Sequence, residues 1–170
     1  MQKAAENSSG AMFAIIGSTP ADIEKVCAET EGYVVPVNYN SSVQTVIAGE
    51  EAAAQAAADT LAAAGARAIR LNVAAAFHSK LMQGAADEFK PAAEQISFKT
   101  PEITMLSNIS GTVLDSIDNM PERLALHIVS PVKFTSELAY LSENGYDTFI
   151  ECGPGKVLTG PVSYTHLRAH

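Results

Sequence analysis

The amino-acid sequence predicts an α/β fold in two parts, and three observations support this prediction. Short apolar runs that end at glycine alternate with helix-forming stretches over residues 11–73. Beyond residue 74 strands and helices continue to alternate, but there are too few strands for a whole doubly wound sheet. Hydrophobic residues make up 47% and charged residues 18% of the 170-residue chain, which is ordinary for a protein with a buried core. We therefore expect one complete small unit followed by part of a larger one.

The first unit, residues 11–73, has the predicted order strand, helix, strand, strand, helix, strand. The strands are predicted at 11–16, 33–37, 43–49 and 67–73. The first helix begins at Thr19-Pro20, and the second is the alanine-rich stretch 50–64. The segment NYNSS (38–42) is predicted to be a polar turn between the second and third strands. This order is the ferredoxin-like βαββαβ pattern, which predicts a four-stranded antiparallel sheet with both helices on one face.

The second unit begins after residue 74, and its pattern predicts three helices and two strands. The helices are predicted at 79–95, 121–129 and 132–142, and the strands at 103–109 and 147–153. The last strand ends in the glycine-rich turn GPGK (153–156). This alternation indicates part of a parallel sheet that needs more chain to be complete.

Charge and cysteine content exclude several classes of partner. The net charge is −8 and no basic run occurs, which argues against nucleic acid. No apolar run approaches the roughly 20 residues that span a bilayer, so we expect no membrane partner. Cys27 and Cys152 lie far apart without a CxxC motif, so neither a metal site nor a disulfide framework is expected. Few cysteines and a polar N-terminus predict a cytoplasmic protein.

One histidine lies where α/β enzymes often carry reactive groups. His78 follows a predicted strand and precedes a predicted helix. It could be catalytic, or it could form a local hydrogen bond at the start of the helix. No GxSxG motif occurs, so the chain does not encode a serine raised on a strand-to-helix turn. The GPGK segment could bind a phosphate through its backbone amides or be a tight turn with a solvated lysine.

Five segments form one pattern along the chain: GAMFAIIG (10–17), VNYNSSVQTVIAG (37–49), AAFHSKLM (75–82), HIVSPVKF (127–134) and ECGPGKVLTG (151–160). Taken together, they resemble the malonyl-CoA:acyl-carrier-protein transacylases of fatty-acid synthesis. The segments keep the order and spacing of the family, and the resemblance covers residues 1–160. It implies a complete ferredoxin-like subdomain at 11–73 and the C-terminal part of an α/β-hydrolase-like acyltransferase lobe at 74–160. The tail 161–170 does not fit the family pattern and is expected to be an artefact.

The resemblance assigns roles to individual positions. His78 matches the catalytic histidine, and His127 takes the position whose main-chain carbonyl orients it. Phe77 matches an aromatic residue that favours malonyl over methylmalonyl groups. Four further matches are expected near the substrate cleft: Asn38, Asn40, Gly153 and Gly155. No cofactor is implied, and the expected partners are malonyl-CoA and acyl carrier protein.

Parts of the family pattern have no counterpart in this chain. The serine turn, the loop that completes the oxyanion hole and the arginine that pairs with malonate are absent from the 170 residues. We therefore expect the chain alone to be inactive, with exposed apolar surface that favours self-association. Two alternatives stay open: residues 11–73 could be a binding module without chemistry, or His78 could serve a different enzyme.

Overall fold

A four-stranded antiparallel sheet with two helices forms the first part of the computed structural model, which describes residues 10–73, 75–153, 158–163 and 168–169. The elements are β1 (Gly10–Ile16), α1 (Pro20–Glu29), β2 (Val34–Ser41), β3 (Gln44–Glu50), α2 (Glu51–Ala63) and β4 (Arg67–Arg70). The strands lie in the order β2-β3-β1-β4, and every neighbouring pair is antiparallel. The predicted βαββαβ order and antiparallel sheet are therefore confirmed.

Local sequence explains where these helices begin. The Thr19 hydroxyl accepts a hydrogen bond from the Asp22 amide, and Pro20 occupies the first helical position of α1. The first amides of a helix have no hydrogen-bond partner within the helix. The Thr19 hydroxyl supplies a partner to one of them, and Pro20 has no amide hydrogen that needs one, so both residues favour a helix start. Helix α2 has no side-chain cap, and its alanine-rich sequence alone favours the helical state.

The two faces of the sheet bury different partners. Alternating β1 residues such as Phe13 and Ile15 pack with Ile23 of α1 and Leu61 of α2, which confirms that both helices cover one face. The other face carries Met12, Ala14, Val37, Val46 and Ala48, and it is covered by Ala76, Phe77 and Leu81. The sheet therefore has no solvent-facing side at its centre, because the segment around His78 closes the second face.

The prediction of a turn at 38–42 is wrong for most of that segment. Strand β2 continues through Asn38, Tyr39 and Asn40 to Ser41, with register shifts against β3 at Pro36/Asn38 and Tyr39/Ser41. The outer edge of β2 is paired as well: the Tyr39 amide donates to the Val132 carbonyl at 2.9 Å, and the Val132 amide donates to the Val37 carbonyl at 2.8 Å. These bonds keep a polar segment extended, which its composition alone does not indicate.

The second part is built mainly from helices. It contains a 3₁₀ turn (Lys80–Met82), α3 (Gln83–Ala93), β5 (Leu106–Ser107), β6 (Thr112–Val113), α4 (Met120–Val129), α5 (Phe134–Glu143), β7 (Thr148–Phe149), α6 (Thr159–Ser163) and β8 (Arg168–Ala169). All three predicted helices are present, although the first begins as the 3₁₀ turn and continues past Pro91. The predicted strands at 103–109 and 147–153 are each reduced to two residues.

Among the described residues of the second part, the β7–β8 pair is the only parallel strand pair, and β5 pairs with β6 as an antiparallel hairpin. A β-strand is defined by its hydrogen bonds to a neighbouring strand. Among the described residues, β5 and β7 each have a partner strand of only two residues. Near these strands Ile103 is 82% exposed and Ile150 is 74% exposed, which is unusual for isoleucine. Among the helices that the structure describes, none is long and apolar enough to cross a membrane.

Candidate active site

His78 lies in a tight turn between β4 and the 3₁₀ turn. Ala75 and Ala76, just before it, are fully buried, and Ala76 packs on the second face of the sheet. Gly10 allows this close approach, since a Cβ atom there would lie 2.8 Å from the Ala76 Cβ. The sheet thus fixes the backbone immediately before His78.

The backbone of His78 is strained. Its φ is +60°, in the left-handed region that side chains other than glycine rarely adopt. Such a conformation costs about 1–3 kcal/mol and persists only where surrounding contacts impose it. One such contact is made by the buried Ser79: its hydroxyl donates to the Ala76 carbonyl at 2.6 Å and accepts from the Leu81 amide at 3.3 Å. The Ser79 hydroxyl therefore links the residues before and after His78 and helps to impose this conformation.

The ring of His78 is oriented by one main-chain oxygen. Nδ1 of His78 lies 3.3 Å from the carbonyl oxygen of His127. A carbonyl oxygen can only accept, so in the neutral ring Nδ1 carries the proton and Nε2 presents the lone pair. This is the tautomer that a general base needs at Nε2.

The His127 carbonyl is available to accept this hydrogen bond because it lies in the last turn of helix α4. The last four carbonyls of a helix have no partner within the helix, and α4 ends at Val129. Ser130 is extended (φ −108°, ψ 149°) before Pro131, which has no amide hydrogen with which to continue the helix. Ile128 and Val129 pack with Ala75 and Met82, which brings this end of α4 to the His78 turn.

The imidazole of His127 is a second titratable group beside His78. The two ring centroids are 5.8 Å apart, with an angle of 43° between the ring planes. Burial, and next the charge of His78, lower the pKa of His127 below its ordinary value. The ring is therefore neutral near neutral pH and does not oppose a positive charge on His78. Its Nε2 atom is buried and has no hydrogen-bond partner among the residues that the structure describes.

Phe77 precedes His78 directly in the chain, whereas Asn38 is linked to the segment that follows His127. Phe77 is half-buried and packs both against the sheet and against the cluster that joins the turn to α4. Asn38 forms a parallel bridge with Val132, five residues after His127. The side chain of Asn40, further along β2, donates to Gln44 at 3.1 Å.

The glycine-rich segment is not joined to His78 by any described contact. Gly153 is exposed, and a Cβ atom added there would meet nothing within 4 Å. Gly155 lies outside the described residues. The predicted roles of these two glycines therefore stay predictions.

The Ser79 hydroxyl and the Cys27 thiol are poor nucleophiles in this structure. Ser79 is 1% exposed, and its hydroxyl proton is engaged by the Ala76 carbonyl. Burial, together with the charge of Glu24, raises the pKa of the Cys27 thiol to about 12, so its thiolate is scarce at neutral pH. Neither Ser79 nor Cys27 is therefore suited to be the nucleophile that His78 would deprotonate.

A cavity of about 430 Å³ lies between the β5–β6 hairpin and α4. Its wall includes His127 and Arg123, and the Arg123 guanidinium donates to Asp115 at 3.1 Å. Because the Arg123 guanidinium is already paired with Asp115, it is not free to bind the carboxylate of a ligand in this cavity.

Sequence reasoning missed two contacts around the site and one buried carboxyl group. Tyr33 contacts Lys80 beside His78, and Val132 pairs with the edge of β2. Glu137 is buried on α5, and burial raises the pKa of its carboxyl group. No sequence motif marks these residues. Only Pro131, which lies before Val132 and follows the end of α4, could have been recognised in the sequence.

Comparison with known proteins shows the family to which the chain belongs. Residues 1–167 match the model of the acyl transferase domain, and the chain therefore belongs to that family. Within it, the chain is similar to the malonyl CoA-acyl carrier protein transacylase of Escherichia coli strain K12, with 40% identity over 163 residues. That match covers 94% of this chain but 53% of the relative, so the chain spans about half the length of the curated relatives it matches.

Solved structures give the same result. The malonyl CoA-acyl carrier protein transacylase of Clostridium perfringens superposes with a TM-score of 0.91 at 32% identity, covering 98% of this chain and 55% of that one. A malonyl-transacylase in complex with a type II PKS acyl-carrier protein superposes with a TM-score of 0.90 at 34% identity, covering 98% of this chain and 57% of the other. The fold of the described residues is thus that of about half of such a domain.

Proposed function

We propose that this chain is the half of a malonyltransferase that carries the general base. The reaction moves a malonyl group from CoA to acyl carrier protein through an acyl-serine, as one step of fatty-acid synthesis. The observation that carries the proposal is the 3.3 Å contact between Nδ1 of His78 and the His127 carbonyl, which leaves Nε2 free to accept a proton. We further propose that the residues for which this chain has no counterpart, including the serine, come from the portion of the domain that the relatives have in addition.

The chemistry then has two balanced half-reactions. Nε2 of His78 takes the serine proton while the serine oxygen bonds to the thioester carbon of malonyl-CoA. The carbon–sulfur bond breaks, and the CoA thiolate takes the proton from His78. The phosphopantetheine thiol of the carrier then gives its proton to His78 and attacks the malonyl-serine. The serine oxygen leaves with that proton, which restores the starting state.

The role of the His127 carbonyl in these steps is electrostatic. His78 becomes positively charged each time it holds the second proton, and a carbonyl oxygen at Nδ1 stabilises that charge. The neutral ring of His127 adds no competing charge. This support is needed in both half-reactions, since the same nitrogen accepts and returns the proton in each.

The substrate would lie beside the Phe77–His78 turn. We propose that Phe77 limits space next to the acyl carbon, which favours malonyl over methylmalonyl groups. Asn38 and Asn40, on the edge strand, and Gly153 and Gly155 are proposed to line the same cleft. Acyl carrier protein is the proposed acceptor, as the complex of a related malonyl-transacylase suggests. A cytoplasmic location stays a prediction.

Two units are proposed within the chain: a ferredoxin-like subdomain at 11–73 and part of the large acyltransferase lobe at 74–160, followed by the tail. An independent binding module at 11–73 is disfavoured, because the second face of its sheet is buried by Ala76, Phe77 and Leu81. Without these residues Met12 and Val46 would face water. The highly exposed Ile103 and Ile150 support the proposal that the isolated chain self-associates.

The proposal is tested in two preparations. A chimera joins the N-terminal half of the E. coli relative to this chain, and transfer from radiolabelled malonyl-CoA to carrier protein is measured. We expect transfer in the chimera and no covalent label on the 170-residue chain alone. The Lys99→Ala chimera, altered in an exposed loop, should match the unaltered chimera. Stoichiometric label on the isolated chain would refute the assignment of the nucleophile to the other half.

A further inference from the structure

The strained backbone of His78 needs support on both sides. Before it, Ala76 is fixed against the sheet, and at Ser79 a hydroxyl bridges the Ala76 carbonyl and the Leu81 amide. The Ser79 bonds lie within the turn itself, whereas the packing of Ala76 reaches the sheet. A contact between the residues after His78 and a distant part of the chain would anchor the other side of the turn.

Tyr33 provides two contacts of that kind, both to Lys80. The Lys80 amide donates a hydrogen bond to the Tyr33 hydroxyl at 3.1 Å. The Lys80 ammonium lies above the Tyr33 ring, 3.9 Å from its centroid, within the range of a cation–π contact. One side chain, 47 residues away in sequence, thus contacts both the backbone and the side chain of the second residue after His78.

Tyr33 is itself rigidly placed. Its carbonyl accepts from the Glu50 amide at 2.8 Å, and its amide donates to the Glu50 carboxylate at 3.1 Å. Gly49 lies next to the backbone of Tyr33, since a Cβ atom added at Gly49 would be 2.1 Å from the Tyr33 carbonyl oxygen. The start of β2 is therefore fixed at the end of β3, and the ring extends from a backbone with little freedom.

From these contacts we infer that Tyr33 is a positioning residue for His78. By holding Lys80 through hydroxyl and ring, it keeps the turn in the left-handed conformation that directs Nδ1 of His78 to the His127 carbonyl. The importance of this role rests on the proposed function of His78 as general base. The contact itself is a property of the chain as it exists, and it can be tested without acyl transfer.

The test reads the tautomer of His78 by nuclear magnetic resonance. The chain is labelled with ¹⁵N-histidine, and the ring signals of His78 are identified by their loss in His78→Ala. Spectra are recorded at alkaline pH, where imidazoles are neutral. We expect Tyr33→Phe, which keeps the ring and removes the hydroxyl, to lower the ratio of the Nδ1–H to the Nε2–H tautomer about fivefold, equivalent to about 1 kcal/mol.

Two further variants decide the interpretation. Tyr39→Phe is the matched control, because it removes a tyrosine hydroxyl on β2 that donates to Glu24 of α1 at 2.7 Å instead of contacting Lys80. It should leave the His78 tautomer unchanged. Lys80→Pro removes the donor itself, at a position where proline suits the first helical residue and the extended Ser79 precedes it. It should reproduce the effect of Tyr33→Phe, and it decides the matter if Tyr33→Phe does not fold.

An unchanged tautomer ratio in Tyr33→Phe would overturn the inference, as would an equal change in Tyr39→Phe. Either result would leave the chimera assay, and with it the proposed function, unaffected.

Discussion

Replacing Gly49 by alanine tests how closely the strands beneath the site approach each other. The added Cβ atom would lie 2.1 Å from the Tyr33 carbonyl oxygen and 2.6 Å from the Val34 Cα atom. Both are main-chain atoms, so no side-chain rotation can relieve the overlap, and β2 must move away from β3. Overpacking of this kind costs about 1–3 kcal/mol.

The same movement weakens a hydrogen bond. The Glu50 amide donates to the Tyr33 carbonyl at 2.8 Å, and lengthening that bond adds about 1 kcal/mol. We therefore expect Gly49→Ala to lower the free energy of unfolding by about 2–4 kcal/mol. With a urea dependence of about 1–3 kcal/mol/M, the unfolding midpoint should fall by about 1 M or more.

The assay is urea unfolding followed by far-ultraviolet circular dichroism. Gly84→Ala is the control, since Gly84 lies in helix α3 with no atom within 4 Å of an added Cβ. That change should raise stability by about 0.5–1 kcal/mol, because alanine favours the helix. The same substitution thus has opposite signs at the two sites. A midpoint for Gly49→Ala equal to or above that of the unaltered chain would refute the steric argument.

Three other predictions concern the site and its surroundings. In the chimera, His78→Ala should lower malonyl transfer by about 10²–10⁴-fold while circular dichroism is unchanged, because the base is lost; near-normal turnover would contradict its assignment. Phe77→Ser in the chimera should shift competition between malonyl-CoA and methylmalonyl-CoA toward the branched substrate, by up to about 1–3 kcal/mol for one methyl group; an unchanged ratio would make Phe77 a packing residue only. Glu137→Gln should stabilise the chain by about 1 kcal/mol at neutral pH, because burial raises the pKa of this carboxyl and disfavours its charged form. The destabilisation is absent below the ordinary glutamate pKa of about 4.3 and develops as pH rises through the raised value, so the gain in urea midpoint should disappear in acid.

The elements of the first sheet could be predicted because their signals are local. Gly65 ends the alanine-rich helix, Thr19-Pro20 begins the first one, and apolar runs mark β1 and β3. Such signals depend on neighbours within one or two turns of chain. The antiparallel sheet was then predicted from the ferredoxin-like order of these elements.

The same reasoning failed where partners are distant. Asn38 and Asn40 have the composition of a turn, yet Val132 pairs with that edge of β2 and keeps it extended. The short strands β5 and β7 were predicted too long, since apolar sequence indicates a strand but not the length of its ladder. Neither Tyr33 nor Glu137 carries a motif, and both matter only through what surrounds them.

The order of helices and strands in residues 11–73, the lack of a GxSxG motif and a histidine between a strand and a helix can all be read from the 170 residues alone. The contact between Nδ1 of His78 and the carbonyl of His127, 49 residues later, cannot, and it is this contact that leaves Nε2 as the basic nitrogen. Periodicity and capping act over only a few residues. The tautomer of His78, in contrast, depends on an acceptor that the packing of α4 on Ala75 and Met82 brings within hydrogen-bond distance.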